Sequence, residues 1–299
     1  MKTVNKSSIS SFREKASYDE NGNILTYLRR GNTIASMPLA MDSLTYHYYK
    51  GTNQLSNVRD GVPATNYPND IDDEPGGRNY EYNAIGQLAK DSAGGLDTIT
   101  WTIYGKVKYI KKHNGDSLKF TYDPPGNGLE KVFYSNSSGK HDTTLYDRDA
   151  QDMDMQCISM ESIYDRKKDT VQLTEWDMYG SKRIGVLDTV MRMKKPATGY
   201  GSLDSLRIAY LEGQHRYELT NHLGNVLAIV DDRKIAVDTA SLGYAQYYLS
   251  NITQAQDYYP FGMDEPGREY AILGDSAYRF GFNGKLHDDD IYGKDNSYD

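Results

Sequence analysis

YELTNHLGNVLAIVDD, residues Tyr217 to Asp232, reads as strand, turn, strand. Tyr217 and Leu219 belong to an incoming strand, the cluster Asn221-His222-Leu223-Gly224-Asn225 turns the chain, and Val226 to Val230 leave as an unbroken apolar run. With a period of two, Val226, Ala228 and Val230 point one way while Leu227 and Ile229 point the other. Both faces are apolar, so this strand is predicted to be covered on both sides, or to belong to a wall that closes on a packed interior.

The same plan recurs along the chain. Tyr18 opens YDENGNIL with Asp19, Tyr82 opens YNAIGQL, Tyr122 opens YDPPGNGLEKV with Asp123, and a cousin, YHYYKGTNQL, runs from Tyr46 to Leu55. Each places Tyr at the end of a strand, Gly about four positions on, and Leu or Ile early in the return strand. Gly22, Gly86 and Gly126 supply the positive φ that such turns require, and Asn or Asp beside them ties the turn locally. Strand alternation agrees: Leu118, Phe120 and Tyr122 share one face of LKFTY, and ITWTIYGKVKYI switches similarly from Ile99 onward. The spans Asn66 to Arg78 and Lys194 to Ser205, rich in Pro, Gly and Asp, read as long loops. The one helix candidate is Ser241 to Leu249.

Composition narrows the class. The 299 residues can bury a large core, and 34 basic against 42 acidic residues give a net charge of -8 with no basic stripe, which argues against a nucleic-acid partner. Twenty-seven residues are Tyr and only 6 Phe, a balance that suits walls with one dry and one wet side. The mean hydropathy of -0.73 is low, yet recurring strand-type aromatics set the chain apart from disordered ones. Cys157 is the one cysteine, so an internal disulfide is excluded and packing must carry the stability. MKTVNKSSISSF lacks an apolar signal core, and no segment approaches membrane-spanning length. The chain is thus expected to be cytoplasmic if made alone, or secreted or displayed on the cell surface as part of a longer protein.

Together these motifs resemble the RHS repeat (YD-repeat) family, and in particular its RHS repeat-associated core. The hairpins at Tyr18 and Tyr122 carry the repeat. An ordered set then follows: LYDRDAQ at Leu145, LTEWDMYGSKRIG at Leu173, YELTNHLGNVLAIVDDRK at Tyr217, DYYPFGM at Asp257 with Tyr259, Pro260, Phe261 and Gly262, and YRFGFNGK at Tyr278 with Gly281, Phe282, Asn283 and Gly284. The resemblance implies an all-β fold of antiparallel hairpins in a curved, spiralling sheet, part of a shell. It implies repeat hairpins over 1–144 and the core over 145–299, in one continuous sheet. Family shells enclose or present a variable C-terminal segment, often a toxin, and the end of the core closes the shell and releases that segment by self-cleavage.

Departures from the pattern matter. Asp152-Met153 stand where the family has Gly-Asn, and Pro124-Pro125 occupy the turn after Tyr122, acceptable at a corner but not within a central strand. No position matches the closing motif or the protease aspartates before Ser297-Tyr298-Asp299, so the chain reads as truncated ahead of the cleavage region and no catalytic residue is assigned.

Other chemistry is thin. The six His residues, His47, His113 and His222 among them, lack metal-ligand spacing, and His222 is expected to hydrogen-bond backbone within its turn. The run His287-Asp288-Asp289-Asp290 offers oxygen ligands but lacks the spacing of a calcium loop, and reads as a solvated acidic turn. No nucleophile elbow or phosphate cradle is present, and no cofactor or metal is expected. Asp-Ser/Thr-apolar triads at Asp42, Asp97, Asp188, Asp204 and Asp275 resemble an O-glycosylation acceptor of some exported bacterial proteins, against the simpler reading that Asp and Ser/Thr begin turns.

Three functions are therefore weighed: a non-enzymatic shell segment for a downstream toxin or closing segment, a cell-surface module holding glycan on exposed Tyr, and a self-cleaving protein. The first is expected, with an unpaired sheet edge at the C-terminal end of the spiral.

Overall fold

The computed structural model describes residues 10–32, 37–68, 70–147, 162–167, 170–193, 213–272, 278–293 and 297. Among them the chain is all-β and antiparallel, with a curled sheet. The strands are β1 (Glu14–Tyr18), β2 (Ile24–Arg30), β3 (Ala40–Tyr48), β4 (Leu55–Asp60), β5 (Tyr80–Tyr82), β6 (Leu88–Asp91), β7 (Leu96–Trp101), β8 (Val107–Lys112) and β9 (Ser117–Tyr122). They continue as β10 (Gly128–Ser135), β11 (Lys140–Asp147), β12 (Ser162–Lys167), β13 (Thr170–Tyr179), β14 (Arg183–Met193), β15 (His215–Thr220), β16 (Val226–Val237), β17 (Tyr247–Ala255) and β18 (Tyr270–Ala271). One short helix, α1 (Asp289–Tyr292), follows. No described helix is long and apolar enough to cross a membrane.

The chain forms two compact units, Met1–Thr100 with Asp257–Glu269, and Trp101–Gln256 with Tyr270–Asp299. In the first, β1-β2-β3-β4 make one sheet, and β5 pairs β6, which pairs β7. In the second, β8 to β18 follow one another in chain order without a crossover. The expected boundary at 144/145 falls inside β11.

One turn recurs along the chain. At Asp19, Asn83, Thr102, Lys112, Asp123, Asn221, Tyr259 and Gly281 the N–H donates to the carbonyl four residues on, and the N–H of a glycine three residues on returns a bond to its carbonyl. This is a type I turn closed by a left-handed glycine, whose handedness matches the twist of the strands it joins. Gly22, Gly86, Gly126 and Gly224 hold φ between 85° and 99° there. The prolines at 124 and 125 sit at the two corners of their turn, and the Asp123 to Asn127 bond is kept at 2.9 Å.

The return strand then carries one extra residue. Tyr18 pairs Ile24 while Ser17 pairs Thr26; Tyr82 pairs Leu88 while Glu81 pairs Lys90; Tyr48 pairs Leu55 while His47 pairs Asn57; Thr220 pairs Val226 while Leu219 pairs Ala228. Such a bulge resets the alternation by one residue. The first and fourth residues of the strand therefore share the inward face: Ile24 with Tyr27, Leu55 with Val58, Val226 with Ile229. This corrects the strict period of two expected for YELTNHLGNVLAIVDD, which put Val226 and Ile229 on opposite faces.

Ser241 to Leu249 is not helical. The Asp238 carboxylate accepts the N–H groups of Leu242 and Gly243, competing for donors a helix needs, Ser241 and Gly243 take positive φ, and the Tyr-rich remainder enters β17. Three of the Asp-Ser/Thr triads, at Asp42, Asp97 and Asp188, lie within β3, β7 and β14 rather than starting turns. Asp152-Met153, Cys157, the span 194–205 and the triads at Asp204 and Asp275 fall outside the described residues.

Candidate functional site

The repeat's tyrosine and its turn residue have distinct tasks. The turn residue is an acceptor: Asp19 Oδ1 takes the N–H groups of Asn21 and Asn23, Asn83 Oδ1 those of Ile85 and Gln87, Asp123 Oδ1 those of Gly126 and Asn127, and Asn221 Oδ1 those of Leu223 and Asn225. The Asn23 side-chain amide, which donates to Asp19 Oδ2, and then these backbone bonds favour the ionised form of Asp19 and hold its carboxyl below the usual range. His222 is exposed, and the backbone bonding expected of it is done by Asn221.

The tyrosine stitches one hairpin to the one before. The Tyr48 hydroxyl donates to the Ile24 carbonyl at 2.8 Å, Tyr82 to Leu55 at 3.1 Å, and Tyr122 to Val107 at 2.7 Å; each acceptor is the first residue of the preceding return strand. Tyr18, in the first described hairpin, is 54% exposed. The Tyr122→Phe variant keeps the ring and loses the bond, so a loss of about 1 kcal/mol is expected in urea titration followed by tryptophan fluorescence. Both tryptophans, Trp101 and Trp176, lie in the second unit, so that signal reports on it alone.

In the second unit, residues 278–287 cover the inward face of β14 and β16. Tyr278 and Phe280 pack with Val186, Val226 and Ile229, and Leu286 lies against them. The two glycine turns abut: Val226 N–H donates to the Gly281 carbonyl at 3.1 Å, Asn283 N–H to Asn225 Oδ1 at 2.8 Å, and a Cβ built on Gly284 would lie 3.4 Å from the Gly224 carbonyl. Buried charge fixes the segment. Arg183 Nε meets Glu218 Oε1 at 2.6 Å, the Tyr278 hydroxyl donates to the same oxygen at 2.7 Å, and Arg183 Nη2 donates to the Gly284 carbonyl at 3.0 Å. Burial beside Glu218 pushes the Tyr278 hydroxyl well above its ordinary value, so it remains a donor. Tyr217 is half-exposed on the other face and stacks on His215.

The run His287 to Asp290 is not a solvated turn. Asp288 is buried and meets Lys131 at 2.5 Å, Asp290 meets the same ammonium at 2.6 Å, and Lys112 donates to the Asp290 carbonyl. Lys131 occupies the fourth position of its return strand, so the bulge turns a cation inward and the acidic run answers it. A cavity of 310 Å³ opens beside it, lined by Lys131, Tyr146, Tyr278, Arg279, His287 and Asp290 among others.

In the first unit, DYYPFGM packs on β2 and β3. The Tyr259 hydroxyl donates to the Arg30 carbonyl at 2.6 Å within a core of Met41 and Tyr67, and the Phe261 ring meets Tyr27 edge-on at 5.5 Å. Pro260 and Gly262 form that turn with the bonds described above. Beneath it lies a buried pair, Arg29 Nε to Asp42 Oδ2 at 2.5 Å, with the guanidinium 5.2 Å from the Tyr259 ring. Carboxylate oxygens of Asp42, Asp60 and Asp70 converge within 4.8 Å of one another. Burial, then the charges of Asp42, Asp60 and Asp72, push Asp70 up to about 7 against the pull of Arg29. Glu14, beside Tyr27, is likewise raised to about 7, chiefly by burial. A proton shared among Asp42, Asp60 and Asp70 is what the geometry accommodates.

Because both folded values lie above the unfolded ones, the folded unit holds protons that the unfolded chain releases between about pH 4 and pH 7. Its stability is expected to fall as pH rises through that window. Hydrogen exchange of β2 to β4 amides at pH 5 and pH 8 reads it, and Asp70→Asn should flatten the difference; equal protection at both pH values would count against the shared proton.

No family model matches the chain, and no curated protein matches it. Solved structures do. A crystal structure of TcdB2-TccC3-Cdc42 superposes on 93% of this chain with TM-score 0.51 at 14% identity. The fold is RHS-like. The Photorhabdus luminescens Tc holotoxin pore, in a TccC3 mutant form, gives the same coverage, score and identity. In both, the chain spans 13% of the length of the matched chain. The likeness is one of fold.

Proposed function

We propose that this chain is a non-enzymatic wall segment of an RHS-type toxin shell, enclosing or presenting a toxin or partner supplied by a further segment or chain. The observation that carries the reading is the turn-and-stitch unit. A hairpin whose tyrosine bonds the hairpin before it, in fixed register and without crossover, lengthens a wall by simple repetition. The named neighbours are toxin-complex structures, which supports a toxin-related role.

The test is co-expression with the segment encoded downstream. Co-purification of the two, with that segment protected from protease until the wall is denatured, is the expected result. A downstream segment that stays free and equally cleavable with or without this chain speaks against it. Two further readings are checked on the same preparation. Self-cleavage predicts loss of the intact 33.8 kDa species on incubation. A glycan-binding role draws on exposed rings such as Tyr104 and predicts array binding lost in Tyr104→Ala with the fold intact.

A further inference from the structure

Lys131 and the acidic run of the second unit form a reactive set as well as an ion pair. The Lys131 nitrogen lies 2.5 Å from Asp288 Oδ1 and 2.6 Å from Asp290 Oδ2. A carboxyl C–O bond adds only about 1.2 Å, so Asp288 Cγ stands within about 3.7 Å of that nitrogen, close to the roughly 3–3.5 Å from which bonds form. The Lys131 and Asp288 side chains are 14% and 6% exposed, while Asp290, at 42%, meets water. Backbone contacts hold both ends in place. Lys131 sits in β10 between Phe120 and Thr144, the Asp288 N–H donates to the Ser297 carbonyl at 2.9 Å, the Ser297 hydroxyl donates to the Asp288 carbonyl, and Lys112 donates to the Asp290 carbonyl at 2.9 Å. The other pairs differ in kind: Lys90 and Glu81 are 3.8 Å apart at the surface, and the guanidinium of the buried Arg183–Glu218 pair does not give up its proton.

We infer that Lys131 and Asp288 condense to an amide, an isopeptide cross-link made by the folded chain itself. Asp290 takes one proton from the Lys131 ammonium and passes it to the Asp288 carboxylate, leaving an amine beside an acid. The nitrogen lone pair attacks Cγ, a second proton moves through Asp290 from nitrogen to the departing oxygen, and the Cγ–O bond breaks. One water leaves into the adjoining cavity, Asp290 ends as the carboxylate it began as, and no co-reactant is consumed. A dry site favours this route, because the neutral amine and acid escape the desolvation that the ion pair carries. Burial pulls the Lys131 ammonium down, but Asp288 and Asp290 more than offset it and hold it above its ordinary value. The neutral pair is therefore a minor species, and the bond accumulates slowly as the folded protein ages. Once made, it fastens the acidic run to β10 and closes a loop of 157 residues that stays closed on unfolding. This inference stands apart from the shell reading, since it rests on this cluster alone.

High-resolution intact mass of the full chain, transferred from urea to native buffer and sampled over days, tests it. The expected result is a growing species lighter by one water, absent while the chain is held in urea, and a tryptic product in which the peptides of Lys131 and Asp288 are joined. Lys131→Arg keeps the charge beside Asp288 but has no amine to condense, so it should keep its full mass; an aspartyl imide elsewhere would lose the same water in both proteins. Asp290→Asn leaves the reacting pair and removes the proton relay, and should slow the conversion about a hundredfold. The tryptophan-reported unfolding transition shows that each variant is folded, and the urea-held wild type remains a control if one is not. A folded wild type that keeps its full mass, a lighter species in Lys131→Arg, a bond mapped to another residue, or undiminished conversion in Asp290→Asn overturns the proposal.

Discussion

Phe280→Ala is expected to lower the stability of the second unit by about 3–5 kcal/mol, the range for emptying a buried aromatic site. The ring is 6% exposed and fills the inward face of β14 and β16 together with Tyr278. It also carries the Arg183 guanidinium, 3.2 Å from its centroid, an interaction that adds about 2 kcal/mol where water is excluded. Its removal therefore empties a site and strips a buried cation of one partner. Urea titration followed by tryptophan fluorescence reads the loss, and binding of an apolar dye to the native protein should rise as Val226 and Ile229 are uncovered. Phe261→Ala is the control, because that ring lies in the first unit and is 60% exposed, so the same signal should not move. A loss below about 1 kcal/mol for Phe280→Ala would mean that residues 278–287 rest on the sheet without holding it.

The fold was legible because turn chemistry is local. A Tyr, an Asx and a Gly at fixed offsets specify a glycine-closed type I turn whatever surrounds them, and Asp19, Asn83, Asp123 and Asn221 all act as their residue types predict. The facing of the strands was not legible from alternation, because the bulge after each turn resets it. The signal was present nonetheless, in apolar residues at the first and fourth positions of the return strand: Ile24 and Tyr27, Leu55 and Val58, Val226 and Ile229. The tyrosine stitch was hidden because donor and acceptor lie 15 to 27 residues apart, beyond any local pattern. The acidic run at Asp288 misled for a related reason. Its partner, Lys131, is 157 residues away, and a carboxylate run looks solvated until the inward cation is placed. The apolar second strand of YELTNHLGNVLAIVDD called for a partner, and the chain supplies one for its inward face from its own Tyr278 and Phe280.

Glu218→Ala is expected to cost a comparable 3–5 kcal/mol, for an electrostatic reason rather than a packing one. Its carboxylate is 3% exposed and one oxygen receives both Arg183 and the Tyr278 hydroxyl. Removing it leaves a guanidinium that is only 14% exposed with a ring and a carbonyl for company, and a buried hydroxyl without its acceptor. Glu218→Gln separates charge from hydrogen bonding, since the amide oxygen still accepts but no longer neutralises Arg183; a smaller loss of about 1.5–3 kcal/mol is expected. The decisive comparison is the double variant Glu218→Gln with Arg183→Met. If the pair serves mainly to compensate itself, an apolar side chain of similar length over Phe280 should recover most of the loss, because the desolvation of two ions disappears with them. If instead the pair positions the glycine turn at Gly284, where Arg183 also donates, the double variant should stay destabilised and hydrogen exchange should quicken at Val226, whose N–H bonds the Gly281 carbonyl. The second outcome is the expected one, since Arg183 touches Glu218, Phe280 and the turn together.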